Sequence, residues 1–262
     1  MLCGTDMDVA MQKHVGLVLM LFCVLAIAPN AGAQIRNGEE LLRAMHDHYR
    51  DNWYETLTFT QKSTTHKPDG TTQSETWHEA LMLPGKLRID IGPPGDGNGV
   101  IFADGTVTSF KAGKVVATRP LVHMLLVLGF DVYRQDPQTT IGEIRQQGFD
   151  LTKLREDSWQ GEPVYVVGAD KEDLKSKQFW VEKKRLLFVR MIEPDQREPS
   201  RTADTRFLDY RQLPLGLVAA RVEFYLDGKD VFTEEYSDIE ANPKLEPAIF
   251  DPKQFNEKHW ER

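Results

Sequence analysis

The sequence predicts a mainly β fold of the α+β class, in which antiparallel strands form a sandwich or a barrel. Apolar and polar residues alternate with a period of two in many short segments of the chain. Turn residues, chiefly Gly, Asp and Pro, separate these segments at short intervals. This spacing favours one domain of about eleven strands, because sandwiches and barrels show such regular turn signals.

The clearest strands lie between Leu57 and Ile91. Two alternating runs, which contain Phe59 and Trp77, flank a polar Pro-Asp-Gly turn, and a third run follows a Pro-Gly corner. Alternation rich in β-branched and aromatic residues is typical of strands. We therefore predict an antiparallel meander, which two tight hairpins at residues 104–105 and 112–113 continue.

One amphipathic helix is predicted before the first strand. Leu41, Met45 and Tyr49 recur at helical spacing, and either Asn37 or Gly38 could cap the start. The charged residues between them point to the other side of the helix. This pattern predicts that one face packs on the sheet.

A second helical segment, residues 121–130, is the most apolar stretch after the N-terminal region. Pro120 suits a helix start and Gly129 a helix end. A helix that is apolar nearly all round must be buried or must cover something apolar. Two interpretations stay open: a core helix, or a lid over a hydrophobic cavity. A further helix is predicted at residues 138–147, started by Pro137.

The N-terminal region has the plan of a secretory signal peptide. Lys13 and His14 precede an apolar run at residues 15–28, and the small residues 31–33 follow it. A membrane anchor is the alternative, but the run is shorter than the roughly 20 residues that a span needs. We expect cleavage near Ala33, export to the periplasm, and a single mature domain at residues 34–262. Met11 is an alternative translation start.

Charge and cysteine content exclude several classes of function. The chain has 262 residues and a formal net charge of −8, so it lacks the basic surface that nucleic-acid binding requires. Both cysteines, Cys3 and Cys23, lie in the segment that export would remove. The mature protein is thus expected to have no disulfide, thiol nucleophile or thiolate metal site.

No catalytic or metal-binding motif is found. His78-Glu79 begins like the zinc pattern H-E-x-x-H, but Met82 occupies the fifth position, and alternation places the two side chains on opposite faces. Neither a G-x-S-x-G elbow nor a Walker loop is present. We predict a protein that is not an enzyme and needs no metal or cofactor.

A curled antiparallel sheet must bury its concave face, and side chains that do not fill that face enclose a cavity for an apolar ligand. The sequence does not decide whether the inward residues line or fill the space. Phe207, Phe224 and Phe232 belong to this inward set. The main cavity candidates are Phe59, Trp77, Leu81, Leu87, Phe102, Phe110, Leu121, Met124, Leu125 and Leu128.

The order of several short motifs resembles the periplasmic outer-membrane lipoprotein-sorting family, the LolA/LolB-like proteins. After the signal and first helix come Phe59-Thr60-Gln61, then Trp77, then Pro84-Gly85-Lys86-Leu87-Arg88. An Asp104-Gly105 hairpin and a late Leu245…Phe250-Asp251 complete the match. The motifs are short, and their order over most of the mature chain carries the resemblance.

The resemblance implies an incomplete antiparallel β-barrel whose apolar concave face is covered by helices. It implies a soluble, monomeric periplasmic carrier that shields lipid or lipoprotein acyl chains, with membrane-bound donor and acceptor proteins as partners. The chain lacks the lipid-attachment cysteine of an anchored acceptor and is longer than a minimal carrier. Related domains sense envelope signals instead, so a non-catalytic sensor or scaffold that binds a protein partner is the alternative.

Overall fold

The computed structural model describes residues 34–260 except residue 94, so the predicted signal peptide lies outside the described residues. Three α-helices are present in this part of the chain: α1 (Gly38–Tyr49), α2 (Met124–Gly129) and α3 (Pro137–Gln146). Short 3-10 helices occupy Asp131–Tyr133, Pro247–Phe250 and Pro252–Gln254. None of the helices between residues 34 and 260 combines the length and apolar character needed to cross a membrane.

Thirteen strands follow one another in the described residues, rather than about eleven. The first six precede α2, and the remaining seven follow α3. They are β1 (Thr56–His66), β2 (Thr72–Met82), β3 (Lys86–Ile91), β4 (Gly99–Ala103), β5 (Thr106–Lys111), β6 (Lys114–Pro120), β7 (Leu154–Trp159), β8 (Glu162–Val167), β9 (Gln178–Glu182), β10 (Leu187–Pro194), β11 (Thr202–Gln212), β12 (Leu217–Leu226) and β13 (Lys229–Ala241).

All thirteen strands belong to one antiparallel sheet, in the order β6-β5-β4-β3-β2-β1-β13-β12-β11-β10-β9-β8-β7. Two meanders, β1–β6 and β7–β13, are joined where the first strand pairs with the last, with Gln61 opposite Tyr236. The end strands β6 and β7 are not neighbours in this order, so the barrel is incomplete. This confirms the predicted fold class.

Tight turns connect the strands, two of them at the predicted residues 104–105 and 112–113. Asp104-Gly105, Ala112-Gly113, Gln160-Gly161 and Asp227-Gly228 each have positive φ at both residues. Two consecutive positive φ angles define the type I′ turn, whose twist matches that of the flanking strands. Glycine at the second position is favoured there because it lacks a Cβ.

The start of α2 differs from the prediction. Pro120 is the last residue of β6, opposite Thr106, and α2 begins only at Met124. A proline has no N–H to donate, and β6 is an edge strand, so Pro120 costs the sheet no hydrogen bond. The predicted end at Gly129 and the start of α3 at Pro137 are confirmed.

The three α-helices pack on one face of the sheet, which we call the inner face. α1 is capped by the Asn37 side chain, which accepts a hydrogen bond of 2.9 Å from the Glu40 N–H. Its apolar residues Leu41 and Met45 are fully buried and belong to the same core cluster as α2, α3 and inward strand residues such as Phe188. Burial of this face supplies the main stabilisation of the domain.

The opposite, outer face carries smaller apolar clusters. The C-terminal segment, residues 245–260, covers one part of it, where Ile249 and Phe250 pack on Ala80. Phe255 packs on Ile101 nearby. Phe250, near the C-terminus, therefore covers apolar residues of the outer face.

Candidate functional site

An apolar cavity lies between the inner face of the sheet and the α2 segment. β2, β3 and β4 form one side, and β11, β12 and β13 form the other. Alternation along each strand directs every second side chain into this space. The wall consists of Trp77, Glu79, Leu81, Leu87, Ile89, Val100, Phe102, Phe207, Val222, Phe224, Phe232, Glu234 and Tyr236.

The α2 segment closes the cavity with His123, Leu125, Leu126 and Phe130. His123 is the N-cap of the helix, and its Nδ1 accepts a 3.2 Å hydrogen bond from the Leu126 N–H. Burial lowers the pKa of His123 to about 4, so the ring is neutral and Nδ1 is free to accept at neutral pH. The same ring packs edge-on against Phe102, with centroids 4.6 Å apart.

The cavity has a volume of about 360 Å³. Sites for small molecules span about 300–1,000 Å³, so this one lies at the lower end. Its aromatic wall is continuous, since Phe232 packs against both Trp77 and Phe224 with centroids 5.8 and 5.6 Å apart. The space fits one slender apolar group.

A second cavity, of about 400 Å³, opens beside the outer-face cluster that contains Val164 and Val189. Charged residues of both signs line it, among them Glu182, Arg185 and Arg221. None of the ten main cavity candidates contributes to it, although Phe207 of the inward set borders both cavities. The inner-face cavity is therefore the candidate site for an apolar ligand.

Five of the ten predicted cavity residues line the inner-face cavity: Trp77, Leu81, Leu87, Phe102 and Leu125. The other five lie elsewhere. Phe59, Met124 and Leu128 are buried in the adjoining core, and Phe59 stacks on Tyr236 at 4.2 Å. Leu121 borders a small neighbouring cavity of about 50 Å³.

Phe110 is on the outer face and does not reach the cavity. On the same strand, Val107 is opposite the cavity residue Phe102 and therefore shares its face. Phe110 comes three residues later, so strand alternation places its side chain on the opposite face. Phe110 stacks on Phe255 with ring centroids 3.9 Å apart. Gly99, its partner on β4, leaves room for the Phe255 ring, because a Cβ at residue 99 would meet that ring at 3.0 Å.

Two acidic residues in the wall, Glu79 and Glu234, were not among the predicted site residues. The signal was present, because Glu79 alternates with Trp77 and Leu81, and Glu234 lies between Phe232 and Tyr236. Burial, followed by the charge of Glu234, raises the pKa of Glu79 well above its ordinary value. Burial also raises the pKa of Glu234 to about 7.

Tyr236 connects this acidic pair to the core. Its hydroxyl donates a 2.6 Å hydrogen bond to Oε2 of Glu234, and its ring stacks on Phe59. Burial and the charges of both glutamates raise the pKa of Tyr236, so it stays protonated and remains a donor. The hydrogen bond from Tyr236 thus fixes the position of the Glu234 carboxyl group in the polar part of the cavity.

Comparison with solved structures finds this fold in other proteins. A LolA superfamily protein from Nitrosomonas europaea is 14% identical with a TM-score of 0.52, over 80% of this chain and 97% of that one. A DUF1329 family protein from Desulfovibrio piger is also 14% identical, with a TM-score of 0.54, over 82% of this chain and 95% of that one. Neither a family model nor a curated protein matches the sequence. The likeness shows that this chain has the LolA-like fold, as the motif order predicted.

Proposed function

We propose that this LolA-like protein is a periplasmic carrier that holds acyl chains of lipids or lipoproteins in its inner-face cavity. The observation that carries the proposal is the apolar cavity of about 360 Å³ between the sheet and α2. Burying an acyl chain yields about 0.8 kcal/mol per methylene, so a walled apolar cavity offers a lipid a shelter that water does not. No reaction is needed for this role, and we propose none.

The α2 segment is suited to act as the lid of such a carrier. The helix itself has only six residues, Met124–Gly129; extended chain precedes it, and Phe130 alone separates it from the 3-10 helix Asp131–Tyr133. Leu125 is partly exposed and touches the cavity, whereas Leu128 is fully buried in the core. One side of the helix thus anchors it, while the other borders the ligand space.

The volume of the cavity limits the cargo in this closed form. About 360 Å³ holds one slender chain or part of a larger acylated group. A cargo with several acyl chains would require α2 to move outward. Membrane-bound donor and acceptor proteins would then be the partners that load and unload a monomeric carrier.

Native mass spectrometry of the protein purified from its own periplasm without detergent tests this proposal. We expect a stoichiometric adduct that organic extraction releases as an acyl-chain compound. A clean apo mass, with no uptake of added lipid, would overturn the carrier role and favour a sensor or scaffold that binds a protein partner.

Three variants separate the lid from the core. Leu125→Asp should fold and lose the adduct, because it places a charge at the cavity surface. Leu128→Asp should fail to fold, since it buries an unpaired charge in a fully enclosed position. Val116→Asp on the exposed edge strand β6 is the control and should retain both fold and adduct; unchanged adduct in Leu125→Asp would contradict the lid assignment.

A further inference from the structure

The strands that line the inner-face cavity present apolar side chains except at one place, and His123 faces the space from the α2 segment. Glu79 on β2 and Glu234 on β13 reach it from the two strands that flank β1. Between them, Gln61 on β1 stands opposite Trp77 on one side and Tyr236 on the other. We call Glu79 and Glu234, which line the cavity, together with the adjacent and fully buried Gln61 the acceptor pole.

The pole has no cation of its own. No lysine or arginine is among the described residues that line the cavity, and the ion pairs within residues 34–260 include neither Glu79 nor Glu234. The titratable groups that face the space are these two acids, Tyr236 and His123. Glu79 is buried and Glu234 half-buried, so two negative charges without a counter-ion are costly there, and the pair retains a proton.

Gln61 supplies an independent sign of a missing partner. The side chain is fully buried, and its Nε2 donates a 2.8 Å hydrogen bond to Oγ of Ser63. Its Oε1 has no hydrogen-bond partner among the described residues. A buried acceptor without a partner is rare in folded proteins and calls for an explanation, such as a bound donor. A side-chain hydrogen bond from Gln61 also lowers the pKa of Glu234, so the Gln61 amide lies beside that carboxyl group.

The three members of the pole accept hydrogen bonds. A carboxylate oxygen and an amide oxygen have lone pairs to offer, and a primary ammonium group presents three N–H donors and one positive charge. Such a group would supply both the donors and the counter-ion that the pole lacks. A carboxylate or phosphate head group would instead meet like charges. The indole Nε1 of Trp77 also has no hydrogen-bond partner within residues 34–260, so the wall keeps one donor beside the acceptor pole.

We propose that the acceptor pole binds the primary ammonium group of a single-chain amphiphile, whose alkyl chain lies against the apolar wall beneath α2. This inference rests on the proposed function, because it takes the cavity to be a ligand site. It adds the chemistry of the head group: a protonated amine at Glu79, Glu234 and Gln61. The narrow volume restricts the ligand to one chain.

Calorimetric titration of the purified protein with three probes of equal chain length tests the head group. The probes are dodecylamine, dodecanol and dodecanoate at neutral pH, the two charged probes below their micelle concentrations and dodecanol below its solubility limit. We expect dodecylamine to bind about tenfold or more tightly than dodecanol, since a hydrogen bond to a charged partner is worth more than a neutral one, and dodecanoate to bind most weakly. Equal affinity for all three, or tightest binding of dodecanoate, would overturn the acceptor pole and leave the carrier role intact.

Failure to bind any of the probes would instead contradict the proposed function. The double variant Glu79→Gln, Glu234→Gln tests the residues, because glutamine keeps the size and neutrality of a protonated glutamate. It should lose the preference for the amine while it still binds dodecanol. Each single variant should lose part of that preference, which keeps the test valid if the double variant folds poorly. Glu240→Gln, an exposed acid on the same strand β13, is the matched control; an equal loss there would show nonspecific attraction and overturn the proposal.

Discussion

Arg88 and Asp90 form an ion pair that is buried on the outer face of β3. The Nε–Oδ1 and Nη2–Oδ2 distances are 2.9 and 3.3 Å. The same guanidinium donates to the backbone carbonyls of Ile249, Phe255 and Lys258 at 3.1, 3.0 and 2.6 Å. Its Nη2 also lies 3.1 Å from Nδ1 of His259, so Arg88 links the C-terminal segment to the sheet through four hydrogen bonds.

Arg88→Met should destabilise the protein by about 3–5 kcal/mol, because it removes the guanidinium from the buried carboxylate of Asp90 and leaves it only the His259 ring, 3.5 Å away. Urea unfolding measures this loss. The C-terminal segment, which loses its four hydrogen bonds to Arg88, should also be cleaved first in limited proteolysis. Lys62→Met is the control, since Lys62 pairs with Glu235 at 3.2 Å in an exposed position and should cost no more than about 1 kcal/mol. Equal losses of stability in the two variants would contradict the conclusion that Arg88 links the C-terminal segment to the sheet.

Alanine substitution at two glycines in the helices should change the free energy of unfolding in opposite directions. A Cβ at Gly129, the last residue of α2, would lie 2.7 Å from Cε1 of Phe207. Phe188 and Phe130 hold that ring from other sides, with centroids 4.8 and 6.4 Å away. Gly129→Ala should therefore destabilise by about 1–3 kcal/mol through overpacking, measured by urea unfolding.

Gly142, inside α3, is the matched site in open space, because nothing lies within 4 Å of an added Cβ. Gly142→Ala should stabilise the protein by about 0.5–1 kcal/mol, since alanine loses less conformational entropy in a helix. A thermal unfolding scan is sufficient to show the sign. Stabilisation by both substitutions would mean that Phe207 moves aside at no cost.

Local patterns predicted most of the strands and turns of this fold. The Asp104-Gly105 turn has a local signature, and so has the strand alternation around Trp77. The start of α2 could not be predicted, because Pro120 suits a first helical turn and an edge strand equally well. Whether β6 is an edge depends on the whole sheet order, which no short segment encodes.

The cavity could be predicted only in part, for a related reason. Alternation correctly directed Trp77 and Leu81 inward, but it did not identify the face of Phe110, because that depends on how the strands of a short hairpin align with the rest of the sheet. The acceptor pole is also nonlocal. Glu79 and Glu234 belong to strands at opposite ends of the chain, and the pairing of β1 with β13 brings them together.

Acidification should weaken the cap of α2. The pKa of His123 is lowered by burial to about 4, so the stability from its neutral form is present above its ordinary pKa and is lost as the pH falls toward 4. His123→Ala should cost about 0.5–2 kcal/mol at neutral pH through loss of the cap. In urea unfolding, the difference in the free energy of unfolding between the wild type and His123→Ala should shrink at about pH 4.5, because the wild type loses the stability of its neutral His123 there. His123→Asn keeps a capping oxygen without a titrating group, so it should cost less; a pH-independent difference for His123→Ala would refute the assignment.

Rising pH should destabilise the protein through the acidic pair. Burial raises the folded-state pKa of Glu234 to about 7, above its unfolded value, so the stability from its protonated form is full in acid and is lost as the pH rises through about 7. Glu234→Gln cannot ionise, so in urea unfolding its stability relative to the wild type should rise between about pH 4.5 and 7 and level off above that range. Burial also raises the pKa of Asp131 to about 7, but that residue is present in both proteins and cancels in the comparison. A relative stability that does not change with pH would show that Glu234 is solvated in the folded state.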